Sequence, residues 1–182
     1  MKSPLRIFLL VFGLLAASCA AFAADVVITS VGQSADGMMV KVLMKRMNLD
    51  PHYDSELNAR TLGTPKALIA VVGGSSKGLG AIGLGKEQEK ARARVLLETA
   101  RKTGIKVLVM HIGGDRRRGE LTDAFIESTA GLADRLIVVK SGNADEIFTR
   151  AKSSTAMLTE VDTVQATVPA LEAALKQWGI SP

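Results

Sequence analysis

Four short apolar runs constrain this chain more than any other feature: "VVITSV" (26–31), "ALIAVV" (67–72), "KVLVMHI" (106–112) and "RLIVVK" (135–140). Each is continuous and rich in β-branched residues rather than alternating, the pattern of a strand buried on both faces. A fifth run, "AMLTEV" (156–161), alternates more and reads as an edge strand. Helical patterns separate the runs. Met39, Leu43 and Met47 repeat at helical spacing after the first, and Ala93, Leu96, Leu97 and Ala100 form one face of a second helix. Leu121, Ala124, Phe125, Ser128 and Leu132 mark a third, and Val164, Val168, Leu171, Leu175 and Trp178 mark the last. A short helix over 145–153 lies between them, with Asn143 and Glu146 spaced as a capping pair.

Strands that alternate with helices predict an α/β three-layer sandwich, a five-stranded parallel sheet covered on both faces. Right-handed crossovers restrict the strand order, and the flavodoxin-like order 2-1-3-4-5 is expected. Its ligand crevice would lie outside the carboxyl ends of the first and third runs, 26–31 and 106–112. The segment "HYDSELNARTLGTP" (52–65) reads as a polar surface excursion.

Residues 1–23 have the three parts of a secretory signal peptide: a basic start at Lys2 and Arg6, apolar Ile7–Ala17, and small-x-small Ala21-Phe22-Ala23. The expected mature protein is one α/β domain, residues 24–182, periplasmic or secreted, with no transmembrane helix. Cleavage and lipidation at Cys19 is the alternative. Loss of the leader removes two basic residues and no acid, so the formal net charge falls from +5 to +3. That mild excess, with few aromatics, argues against nucleic acid as a partner. Cys19 is the sole cysteine, so the mature chain has no disulfide, thiol nucleophile or cysteine-bound metal.

In "VVGGSSKGLGAIGLG" (71–85), Gly74, Gly78 and Gly80 fit G-x-x-x-G-x-G, and the stretch resembles the cofactor loop of the short-chain dehydrogenase/reductase family. It departs from that family in three ways. A whole strand–helix unit precedes the loop, and glycine continues at Gly83 and Gly85 before a helical pattern starts near Lys86. The family's tyrosine and lysine four apart are missing, because Tyr53 is the sole tyrosine and Leu57 follows it. No dinucleotide, and no other cofactor, is expected. What remains is a loop with free N–H groups, two hydroxyls (Ser75, Ser76) and a cation (Lys77), which suits an anion or carboxylate. The alternative is a mobile connection in which glycine merely permits positive φ.

Every run leads into polar or glycine-rich sequence at its carboxyl end, and a parallel sheet gathers these loops on one rim. "TSVGQS" (29–34) resembles the flavodoxin phosphate loop, with Val31 and Ser34 as departures, but the later loops lack an aromatic to stack a flavin. "GQS" (32–34) resembles the serine block of the SGNH/GDSL hydrolases, which implies Ser34 as nucleophile. Their final D-x-x-H is "DTVQ" (162–165) here, leaving His111 as a substitute base. Response-regulator receivers share the topology, but their acid pair after the first strand has no counterpart. "DRRR" (115–118) sets three guanidiniums in one loop, an anion clamp or a solvated charge run. The methionines at 38, 39, 44 and 47 read as packing rather than a copper site, and no metal is expected.

Taken end to end, "VVITSVGQSADGMMVKVLMKR", "LIAVVGGSSKGLGAIG", "HIGGDRRRGELTD" and "LIVVKSGNADEIF" resemble a family of small exported bacterial proteins of unknown function. The resemblance implies an envelope location and a compact α/β domain, and assigns no residues. The expectation is a binding module for a small anion or carboxylate at the carboxyl rim, accessory to an envelope transport or sensor protein. Its candidate residues are Ser30, Gln33, Ser34, Gly74, Ser75, Ser76, Lys77, Asp115, Arg116, Arg117, Arg118 and Asn143. The alternatives are a serine hydrolase using Ser34 and His111, and a protein-interaction module with no small ligand.

Overall fold

A computed structural model describes residues 24–181, so the leader read over residues 1–23 lies outside the described residues. Six strands form one parallel sheet: β1 (Val26–Val31), β2 (His52–Tyr53), β3 (Ala67–Val72), β4 (Lys106–His111), β5 (Arg135–Val139) and β6 (Met157–Val161). Their order is β2-β1-β3-β4-β5-β6, a flavodoxin-like arrangement. The four continuous runs are its central strands, and every residue of β1 and β3 is buried. β6 is the half-exposed edge that its alternating sequence implies.

The expected five strands are six. The additional one, β2, lies in the segment read as a polar excursion and pairs with β1 at Val27–His52 and Ile28–Tyr53. This changes the meaning of the strand order. The run 67–72 is not the edge strand. It pairs with β1 on one side and β4 on the other, so 26–31 and 106–112 are not neighbours.

The helices are α1 (Asp36–Arg46), α2 (Ser76–Ala81), α3 (Lys86–Lys102), α4 (Glu120–Thr129), α5 (Ile147–Ala151) and α6 (Thr167–Gln177). One core joins the sheet to α3, α4 and α5 through Ala93, Leu96, Leu97, Phe125, Ile126 and Phe148. The other joins the opposite face to α1 and α6 through Val40, Met44, Leu171 and Leu175. Burying an aliphatic or aromatic side chain of this size contributes about 1.5–3 kcal/mol, so both layers are fixed by their apolar faces. On α1 that face is Val40, Leu43 and Met44, whereas Met39 is 47% exposed. No helix among the described residues is long and apolar enough to cross a membrane.

Candidate functional site

Gly32 and Gln33 both take positive φ, 90° and 61°, and turn the chain leaving β1 across the end of β3. There the two exit loops are stitched together. Gln33 and Gly74 form an antiparallel bridge, Ser34 N donates to Gly73 O at 3.2 Å, and Ser75 N donates to Gly32 O at 2.8 Å. The topological switch point between β1 and β3 is therefore closed by main-chain bonds. The rim opens one step further along, between the loops leaving β3 and β4.

The glycine-rich stretch is not the loose connection its sequence allows. Ser75 Oγ accepts from Gly78 N at 3.0 Å and caps α2, and Leu79 is buried in the core. Gly78 packs its bare side against the Gln33 carbonyl, so close that a Cβ has no room. Ser75 is thus a cap, and Lys77 projects from α2 as an exposed cation.

Behind the β1 loop, Glu89 is fully buried on α3. Its Oε1 accepts from Gly32 N at 2.9 Å and from Gln33 Nε2 at 3.1 Å. Arg92, one turn on, pairs with Glu89 at 2.7 Å and donates to Ser30 O at 2.6 Å and Leu57 O at 2.5 Å. Ser30 Oγ is bonded to Ser34 O and the Tyr53 hydroxyl, and Gln33 also donates to Ser55 O. Ser30 and Gln33 therefore act inward, holding the 52–65 segment to β1. The sequence carries no sign of this, since Glu89 and Arg92 sit in "KEQEKARAR", which has the composition of a solvated helix face.

Between the β3 and β4 loops lies a depression of about 260 Å3 lined by Gly74, Ser76, Arg116, Arg117, Arg118 and the first turn of α4. It is slightly smaller than the roughly 300–1,000 Å3 typical of drug-sized ligands, a size suited to a small anion. Larger hollows lie between α3 and α4, about 670 Å3, and beside the loops leaving β5 and β6, about 570 Å3, the latter lined by Lys140, Asn143, Glu146 and Glu160. Gly74 N donates to Thr122 Oγ1 at 2.9 Å, which ties the two walls together.

The three arginines have different roles. Arg118 is 14% exposed and donates to Asp123 at 2.7 Å, to both oxygens of Asp145 at 2.9 Å, and to Gly142 O at 2.5 Å. Its hydrogen bonds with Asp145 and Asp123 raise its own pKa, and the same bonds hold both carboxyls below the usual range. Arg118 is a structural tie. Arg117 is half exposed and only loosely paired, its Nε 3.7 Å from Asp36 Oδ1. Arg116 is exposed and forms no ion pair among the described residues.

Asp36, absent from the sequence-derived candidates, is the first residue of α1 and only 4% exposed. Its Oδ2 has no hydrogen-bond partner. Ser34, also 4% exposed, lies beside it and accepts from Asp36 N at 3.4 Å. His111 is fully buried, with Nδ1 2.9 Å from Val72 O and Nε2 3.0 Å from Gly114 O. Both ring nitrogens thus face main-chain carbonyls. Asp115 is exposed outside the depression, where its N–H bonds Ser141 Oγ at 3.2 Å. Asn143 is buried elsewhere, its Oδ1 accepting from Phe148 N at 2.8 Å and its amide donating to Thr149 and Glu160.

Of the residues named from sequence, Gly74, Ser76 and Arg116–Arg118 meet at one depression. The fold that carries them is a flavodoxin-like α/β domain with an arginine-lined hollow at its carboxyl rim. The chain belongs to the family described as Domain of unknown function (DUF6305), which matches residues 23–175. No curated protein and no solved structure matches it.

Proposed function

We propose that this domain is an exported binding module for a small anion, a carboxylate above all, held in the depression between residues 74–76 and 116–122. The observation that carries this reading is Arg116, which forms no ion pair among the described residues, and Arg117, held only by a 3.7 Å contact with Asp36, beside the first turn of the ten-residue α4. Guanidinium forks match carboxylate geometry, and the helix N-terminus adds partial positive charge on the same side. Ser76 and Gly74 form the opposite wall. Glu120, which also lines the hollow, is 3.5 Å from Lys86, and Arg118 with Asp123 and Asp145 leaves one negative charge, so attraction for an anion rests on Arg116 and Arg117.

Export follows from the tripartite leader, and the role is accessory to an envelope transport or sensor protein. Calorimetric titration of the full chain with acetate and phosphate at low salt tests the binding. Arg116→Ala or Arg117→Ala should weaken acetate about tenfold or more, the loss expected for one charge-assisted hydrogen bond. An absence of heat with every anion, or affinity untouched in the double variant, would overturn the reading.

A further inference from the structure

An orphaned carboxylate oxygen beside a candidate anion site needs a physical explanation, because a buried polar atom without a partner is costly. Asp36 Oδ2 is such an atom. A Cβ placed on Gly73 would lie 3.1 Å from it and 2.6 Å from Ser34 Oγ, so both oxygens face the same bare side of Gly73. A Cβ on Gly113 would lie 3.2 Å from Oδ2 and would run into the stem of Arg117. Arg117 therefore shares the bare side of Gly113 with the buried oxygen while it also lines the depression. Carboxylate and anion site meet at this arginine.

We infer that Ser34 and Asp36 form the inner half of the rim site and select a small hydroxy acid, its carboxylate on Arg116 and Arg117 and its hydroxyl between Ser34 Oγ and Asp36 Oδ2. This rests on the anion-site reading above. A hydroxyl is the group that fits, because it both donates and accepts. Asp36 Oδ2 can only accept. Ser34 Oγ already accepts from Asp36 N, and its own hydrogen is committed to no acceptor. An ammonium group could donate to Asp36 but could not accept from Ser34, and a methyl could do neither. Neither Ser34 nor Asp36 lines the depression, so entry of the hydroxyl requires the turn at 115–117 to carry the root of Arg117 off Gly113.

Calorimetry on the full chain with matched pairs reads this directly: glycolate against acetate, and lactate against propionate, with glycine as the ammonium analogue. Glycolate should bind at least about tenfold more tightly than acetate, roughly 1.4 kcal/mol, and glycine more weakly than glycolate. Asp36→Asn should erase that preference, the two members of each pair then binding alike. Ser34→Ala should shrink it, and serves in place of Asp36→Asn if that variant does not melt cooperatively. Equal affinities for glycolate and acetate, tighter binding of glycine, or a preference that survives both substitutions would overturn the inference while leaving the anion site standing. If neither member of any pair binds, the anion site falls with it.

Discussion

The amide of Gly32 donates to the buried carboxylate of Glu89 at 2.9 Å across 57 positions of sequence. That bond fixes the loop leaving β1 to the first turn of α3. Arg92 closes the circuit by pairing with Glu89 and holding Ser30 O and Leu57 O. The rim is thus supported from below by one buried ion pair.

Glu89→Ala should lower the free energy of unfolding by about 3–5 kcal/mol, because Arg92 is left buried without its counter-charge. Glu89→Ala combined with Arg92→Met should recover part of that loss, since the double change removes the stranded charge. Urea midpoints at neutral pH decide the point. A single variant as stable as the wild type would show that solvent reaches Arg92.

Arg118 and Arg117 should separate stability from binding. Arg118→Met should cost about 2 kcal/mol, the loss of hydrogen bonds to charged partners, with little effect on acetate affinity. The cost should depend on pH. Asp123 and Asp145 have native values lowered by Arg118, so their contribution is complete above about pH 4 and declines as the pH falls through those lowered values. The stability gap between wild type and Arg118→Met should therefore narrow on acidification below pH 4. Urea unfolding followed from pH 6 to pH 2 measures it, and a constant gap would contradict the assignment.

Two glycine substitutions should fail in different ways. Gly32 has φ of 90°, and a Cβ there would lie 2.6 Å from the Phe125 ring and 2.7 Å from Gly73 O, neither free to move. Gly32→Ala should lose more than about 2 kcal/mol. At Gly113 the obstacle is the root of the Arg117 side chain, its Cβ at 2.5 Å and its Cγ closer still, so a Cβ there must displace the turn that carries the arginine. Gly113→Ala should therefore weaken acetate binding about tenfold as well as lower stability. Thermal melts beside calorimetry distinguish the two outcomes.

The central sheet is legible because each strand is a continuous apolar run, and alternation with helical segments places such runs between two helix layers. β2 is not legible: two residues, His52 and Tyr53, are too few to show any period. α2 is hidden for another reason. Glycine disfavours helix locally, yet Ser75 caps this segment and Leu79 anchors it, so tertiary contacts override propensity. On α1 the spacing of Met39, Leu43 and Met47 is as helical as that of Val40, Leu43 and Met44, and composition alone does not choose between the two faces.

The candidate site is legible as a place, and in part as residues. The loops carrying "GGSSKG" and "DRRR" face one another directly, whereas the order expected from sequence set the loop leaving β1 between them. "DRRR" has three identical cations, however, and only the fold shows that Arg118 is bound to Asp123 and Asp145, tens of positions apart from each other in no repeating pattern. Asp36 is illegible for a similar reason. An acid opening a helix is ordinary, and nothing in the sequence shows that the bare faces of Gly73 and Gly113 converge on it.

The grip of Arg92 on Ser30 O has a consequence for how these molecules behave when crowded. β2 pairs with β1 only at Val27 and Ile28, so the outer border of β1 runs on past its short neighbour. An open border of that kind invites strands from other copies and seeds aggregation. Here a guanidinium from α3 occupies the carbonyl at that border, and the Gln33 amide secures the 52–65 segment over it. The arginine works as a doorstop against intermolecular sheet growth, keeping a fully buried strand of the domain unavailable to its neighbours.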